Sequence, residues 1–287
     1  MSDTGDVEVR IASLHVHPVK SCAGIAVDEA LLIETGFEFD RAWMLVDERG
    51  VFVTQRDLPR MALIQPTLKH VDMVLRAPGM LALHVALDAV EAPVQATVWN
   101  DSVKAYDMGD LAAQWFSDFL GRKLRLVRFD PEQRRLADRR WTGPLEAEAA
   151  FADGFPLLVA SSAGLAELNR RLAAAGHAPV TMQRFRPNLV LDGLDANGED
   201  HLDEIVFGAP EGPVRLKLVK PCARCPIPDV DPATGERGHA VGDALAAYRA
   251  DARLDGAITF GMNAVIVEGV EATLRIGMVG QATFAFA

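Results

Sequence analysis

The stretch Val214-Arg-Leu-Lys-Leu-Val219, continued by Lys220-Pro221 and then Cys222-Ala-Arg-Cys225-Pro-Ile-Pro228, decides how this chain is read. Its first six residues form an apolar β-strand, and strand geometry carries two thiols to the strand end, a place where active sites often sit. Pro226 and Pro228 then bar a helix from starting at the cysteines. Outward from this point the same short-strand grammar recurs. Arg10-Ile-Ala-Ser-Leu-His-Val-His17 alternates, Trp43-Met-Leu-Val46 and Val51-Phe-Val53 flank an Asp47-Glu-Arg-Gly50 turn, and Val94-Gln-Ala-Thr-Val-Trp99 runs into Asn100-Asp101. In the last third, Leu189–Leu191, Glu204–Phe207 and Ala264–Val267 read as further strands, with a helix around Ala244 to Ala250.

Two other segments read as helices. Between Asp110, taken as a cap, and Gly121, taken as a stop, Leu111, Trp115 and Phe119 recur at four-residue spacing. Pro156-Leu-Leu-Val-Ala160 is a buried strand, after which Ser161-Ser162 caps a helix from about Ala163 to Ala175 that stops at Gly176. That N-terminus, with its hydroxyls and free N–H groups, suits an anion, although most such caps serve only their own backbone. There is no Walker loop, GxGxxG, HExxH or GxSxG, and no alternating βαβ rhythm. The expected class is therefore α+β and β-rich, with barrel-like domains and few helices.

The chain has 287 residues and a formal net charge of -11. At about 100–200 residues per domain this length predicts two domains, divided after the first helix into 5–122 and 123–285. The acidic balance repels a phosphate backbone, so nucleic acid is not the expected partner. No signal-type leader and no membrane-length apolar run occur, which predicts a cytoplasmic protein with no membrane contact. The three cysteines, Cys22, Cys222 and Cys225, are too few for a disulfide framework and fit a reducing compartment. One segment opposes the overall sign: Arg122 to Arg140 holds eight basic residues against Asp130, Glu132 and Asp138. It reads either as a solvated face or as a docking surface for an acidic partner.

The cysteine pair admits four readings. A thioredoxin-like redox pair needs a helix start that the prolines forbid. A structural zinc site needs four ligands, and Cys22 and a histidine would have to come from far away. A single thiolate, with Arg224 beside Cys225 favouring the charged form, would suit a redox-active transition metal. Buried, inert thiols are the remaining alternative. His15, His17 and His84 lie in strand-like runs and read as core or edge residues.

The string Cys222-Ala-Arg-Cys225-Pro-Ile-Pro-Asp-Val-Asp231-Pro232-Ala-Thr234-Gly235 closely resembles the signature of the MOSC family, which takes its name from the C-terminal part of molybdenum cofactor sulfurase. His17-Pro-Val-Lys20-Ser21-Cys22, Phe39-Asp40-Arg41-Ala-Trp43, Arg184-Phe185-Arg186-Pro187-Asn188, Ala246-Ala-Tyr248-Arg249 and Phe260-Gly261-Met-Asn263 resemble that family too, in the expected order. The likeness spans about residues 7 to 280 and includes the N-terminal β-barrel domain found in mitochondrial amidoxime-reducing components and their bacterial relatives.

The resemblance implies an N-terminal β-barrel-like domain and a C-terminal MOSC β-barrel domain around a molybdenum cofactor (Mo-molybdopterin), with Cys225 as the metal ligand and catalytic residue. It further implies cofactor contacts from Lys20, Ser21, Arg41, Ser162, Arg186 and Asn188, cations and donors of the kind a phosphate and a polar pterin require. The implied activity is reduction of N-hydroxylated compounds (amidoximes, hydroxylamines, N-hydroxylated bases), with electrons from a separate ferredoxin-like or cytochrome-type donor and its reductase. The alternative is a non-catalytic carrier of sulfur or of the cofactor. Asp231-Pro232 reads as a turn that shapes the loop after Cys225. Two departures stand out: Arg275-Ile-Gly277-Met278-Val279-Gly280 lacks the acidic residue usual after the Val-Gly step, and no cysteine follows Cys225, so an iron–sulfur cluster of the chain's own is not expected.

Overall fold

The computed structural model describes residues 5–89 and 92–285. Its centre is a closed barrel of seven strands. Leu157–Ser161, Leu189–Asp192, Val7–Val16, Val279–Phe284, Leu202–Ala209, Gly212–Ala223 and Ala257–Glu268 follow one another around it, and the last pairs back onto the first through Leu157↔Ala264, Leu158↔Asn263 and Val159↔Met262. Closure leaves no open edge among these strands. Alternating residues fill the interior, among them Val9, Ile11, Leu14, Phe207, Leu216 and Leu218. At the seam Gly261 has φ +77°, and a Cβ there would lie 2.6 Å from the Val159 carbonyl oxygen, so only glycine lets the two strands meet. The single parallel pairing, Leu157–Ser161 with Leu189–Asp192, is bridged by the helix Ser162–Ala174, whose Leu168 and Leu172 are buried.

A second body packs a four-stranded sheet, Trp43–Val46, Arg125–Phe129, Asp101–Asp107 and Ala92–Val98, beside a three-stranded one, Gln65–Leu68, Asp72–Arg76 and Leu83–Ala86. The helix Gly109–Leu120 buries Ala112, Trp115, Phe116, Phe119 and Leu120 against this body's core, which includes Trp43, Leu45 and Met73. The β-rich α+β reading with two MOSC-type domains holds. The sheets nevertheless interleave in sequence: the opening strand Val7–Val16 belongs to the barrel, and Arg125–Phe129, beyond residue 122, completes the other sheet.

Several local expectations are corrected. Leu111 points to solvent at 76% exposure, because the buried stripe of its helix runs through Trp115, Phe116 and Phe119. Asp110 is not the cap: the Asp107 carboxylate accepts from Gly109 N–H at 2.8 Å. Val51 and Phe52 form only isolated bridges. The late helix is Ala240–Ala246, set four residues early because the Asp229 carboxylate accepts from Val241 and Gly242 N–H, both at 3.0 Å. Ser161 caps its helix as expected, its hydroxyl accepting from Gly164 N–H at 3.1 Å.

Seven of the eight cations between Arg122 and Arg140 are ion-paired, for example Arg134 with Glu146 and Glu148, Arg139 with Glu146, and Arg135 with Asp101. The basic run is thus stitched into acidic partners close in space, so among the described residues its charge contrast along the sequence does not by itself mark a docking surface. Among the described residues no helix is long and apolar enough to cross a membrane.

Candidate active-site cleft

Where the rim of the barrel meets the second body, a cleft of about 840 Å³ opens. Lys20, Ser21, Arg41, Arg186, Asn188 and Cys225 all line it, so residues up to 205 positions apart in the chain converge on one cleft. Ser162 does not join them. Its hydroxyl bonds to the Asp192 carboxylate and to the Leu191 carbonyl, and that end of the helix faces elsewhere. Cys222 closes the barrel strand Gly212–Ala223 and Cys225 follows it, so both thiols border the cleft. Cys22 is wholly buried, and burial pushes its thiol up to about 12, beyond what the nearby Arg186 recovers. Burial raises Cys222 as well, against the pull of Arg224. Among the described residues no three His, Cys, Asp or Glu side chains gather to hold a metal ion, so a zinc site has no ligand set.

The cations are held tightly. Lys20 donates from Nζ to the Phe151 carbonyl at 2.7 Å and to Asp153 Oδ1 at 2.5 Å; burial lowers its pKa, Asp153 opposes that, and Arg135 and Arg41 lower it further. Arg41 donates to Asp40, to Asn188 Oδ1 at 3.1 Å and to the Arg186 carbonyl at 2.9 Å. Burial is the largest single influence on Asp40 and favours its neutral form, yet Arg41 and His17 together outweigh it and hold the carboxyl at about 2. His17 donates its backbone N–H to Asp40 at 2.7 Å, while burial keeps its imidazole well below its ordinary pKa despite that carboxylate. It is a neutral core residue, as expected. Arg186 donates from one terminal nitrogen to the Cys22 carbonyl, and its other terminal nitrogen is buried with no hydrogen-bond partner among the described residues. Burial, then Arg41, lowers its guanidinium to about 10. Positive charge is therefore in excess where the two arginines meet, and a buried donor points at nothing.

Backbone strain gathers in the same place. Ser21, Arg41 and Arg186 line the cleft with φ of +66°, +50° and +57°, a region that costs a non-glycine residue about 1–3 kcal/mol. No composition signal marks these positions. Asn188 is 1% exposed and spends its side chain on Leu158 N–H, Arg41 and the His15 carbonyl, which makes it a brace between segments. Arg224 is likewise committed to the Phe260 and Phe185 carbonyls beneath the stacked rings of those residues, whose centroids are 3.9 Å apart. Asp231 forms the expected turn, accepting from Ala233 N–H at 2.8 Å, and also binds Arg184. The sequence reading missed Thr54, Arg56, Asp153, Arg184, Phe155 and Asn263, all of which line the cleft. Of these, Arg184 and Asn263 fall inside recognised motifs, and the other four do not.

A family model described as the MOSC N-terminal beta barrel domain matches residues 8–123, and one described as the MOSC domain matches residues 146–279. Mitochondrial amidoxime reducing component 2 of Bos taurus is 35% identical over 234 residues, covering 78% of this chain and 67% of that protein. Mitochondrial amidoxime-reducing component 1 of Mus musculus is 35% identical over 234 residues, covering 78% and 66%. Molybdenum cofactor sulfurase of Bos taurus is 30% identical over 268 residues, covering 86% of this chain but only 30% of that protein. The matched region thus spans about two thirds of the first two relatives and less than a third of the sulfurase.

Proposed function

The chain belongs to the MOSC family, and from that premise we propose that its cleft holds a molybdopterin-type molybdenum cofactor and reduces N-hydroxylated compounds such as amidoximes, hydroxylamines and N-hydroxylated bases. The observation that carries the reading is the unpartnered buried nitrogen of Arg186 beside Arg41, in a cleft that also presents Cys225. A buried cationic site with an unused donor is built for an anion with acceptor oxygens, which a phosphate-bearing pterin supplies. In this proposal Cys225 gives the soft thiolate that molybdenum favours. Lys20, Ser21 and Arg186 hold the phosphate and pterin. Arg41 fixes the Arg186 backbone and is itself braced by Asn188, and Ser162 is left out because its hydroxyl is already taken.

When bound, the cofactor supplies two-electron chemistry that removes the N–OH oxygen as water. The chain's own part is to bind that cofactor, to orient substrate and to exclude water from the buried side. The electrons come from a separate donor protein of ferredoxin or cytochrome type.

The test uses protein made in a host competent for molybdenum cofactor. Benzamidoxime supplied with reduced methyl viologen as donor should yield benzamidine in multiple turnovers. Cofactor-loaded protein that reduces no amidoxime, hydroxylamine or N-hydroxycytosine would overturn the enzyme reading and favour a carrier.

A further inference from the structure

Beside the cleft stands a group of side chains that the barrel does not require and of which only Asp153, through Lys20, touches the proposed cofactor contacts. Trp99 occupies the tip of the hairpin formed by Ala92–Val98 and Asp101–Asp107. There φ is +55°, a conformation that such turns usually assign to Asn or Gly. The indole is nevertheless 44% exposed, so packing does not repay the strain. Its Nε1–H donates to Asp153 Oδ1 at 3.1 Å, the same oxygen that accepts from Lys20. The Arg56 guanidinium, which lines the cleft, lies 4.4 Å from the centre of the Trp99 ring and 5.6 Å from that of Phe52, and those two rings are 5.1 Å apart. Asp153 Oδ2 makes no hydrogen bond among the described residues, and its side chain is 70% exposed at the cleft.

The two rings are tilted by 55° to each other, so the stacking face is the exposed indole with the Arg56 guanidinium against it; next to a carboxylate oxygen free to accept, it matches a planar group that carries an N–H donor. We propose that Trp99, Arg56 and Asp153 form the substrate-recognition rim of the cleft, selecting planar N-hydroxylated substrates that keep a second N–H beside the N–OH carbon, as an amidoxime does. The proposal rests on the reductase reading above. Trp99 and Arg56 contribute the stacking face. Asp153 Oδ2 accepts from the neighbouring amino group, while Oδ1 stays with Lys20 and Trp99.

The test compares Trp99→Asn, which suits the left-handed turn and so preserves folding, with Arg56→Ala and Asp153→Asn, all as cofactor-loaded protein. Benzamidoxime affinity is measured by isothermal titration calorimetry, together with KM and kcat. Loss of stacking in Trp99→Asn and Arg56→Ala should raise Kd and KM about two- to tenfold, with the change in KM and not in kcat. Asp153→Asn should lose most of the preference, about tenfold, for benzamidoxime over its N,N-dimethyl analogue, which has no amino N–H. Because that preference is a ratio within one preparation, partial loss of cofactor cancels from it. Unchanged affinity in Trp99→Asn, or an unchanged preference in Asp153→Asn, overturns the rim. Absence of all turnover would strike the reductase reading instead, and the calorimetric comparison would still judge the rim.

Discussion

Replacing Asp40 with Asn removes the counter-ion of Arg41 in the cleft. Asp40 is 4% exposed, accepts from His17 N–H at 2.7 Å and pairs with Arg41. Its carboxyl sits at about 2 against an ordinary 3.8. At about 1.4 kcal/mol per pH unit, that difference makes the ionised form worth about 2.5 kcal/mol to the folded state. Because the folded pKa is depressed, this contribution is fully present above about pH 4 and is lost as pH falls through about 2. Asp40→Asn forfeits it at every pH and also leaves Arg41 facing Arg186 uncompensated, so the expected loss at pH 7 is about 2–4 kcal/mol. For a chain of this size that is about 5–15 °C in Tm. Differential scanning fluorimetry and urea titration at pH 7, 4 and 3 would measure it. The gap between wild type and variant should be widest at neutral pH and should shrink toward pH 3, since the wild type alone has this carboxyl left to lose. A Tm within about 1 °C of wild type at pH 7, or a gap that does not narrow in acid, refutes the assignment of Asp40 as the cleft's internal counter-ion.

Four further outcomes follow from the same geometry. Gly261→Ala places a methyl 2.6 Å from the Val159 carbonyl at φ +77° and should cost about 2–4 kcal/mol by urea denaturation, because the barrel seam cannot widen locally. Arg135→Glu reverses a side chain that is 7% exposed and donates to Asp101 at 2.8 Å and to the Ala150 and Ala152 carbonyls at 3.0 and 2.7 Å, so about 3–5 kcal/mol should be lost. Arg140→Glu, 84% exposed, should leave Tm unchanged. Cofactor-free protein should gain several degrees of Tm in millimolar phosphate or sulfate, and Arg186→Ala should abolish the gain, since the buried unpartnered nitrogen is then gone.

The local grammar of the chain was largely legible. The strand ending at the cysteines, the helix stopped by Gly121 in a left-handed cap, and the Ser161 cap before Gly164 are written in neighbouring residues. The pairings that close the barrel were not. Val7–Val16 meets Val279–Phe284 across almost the whole chain, and alternation alone shows that a strand has two faces without showing which strand it will join. The run from Arg122 to Arg140 misled because charge counted along the sequence omits Asp47, Asp101, Asp107, Glu146 and Glu148, which lie elsewhere in sequence and adjacent in space.

Lys20, Ser21, Arg41, Arg186, Asn188 and Cys225 were singled out through motifs, and the fold brings the first five to the cleft that Cys225 lines. Ser162 does not line the cleft, and a helix N-terminus looks the same in sequence whichever way it faces. Arg56, Trp99 and Asp153 left no trace, since one exposed aromatic, one arginine and one aspartate acquire meaning only when the Ala92–Asp107 hairpin tip swings over the Phe151–Phe155 loop.

The measurement that bears most directly on the central claim is the molybdenum and pterin content of protein purified from a cofactor-competent host, comparing wild type with Cys225→Ser and Cys222→Ser. The account predicts near-stoichiometric molybdenum and pterin in the wild type and in Cys222→Ser, with loss of bound molybdenum in Cys225→Ser. Well-folded wild-type protein from such a host without molybdenum, or a loss confined to Cys222→Ser, would contradict it.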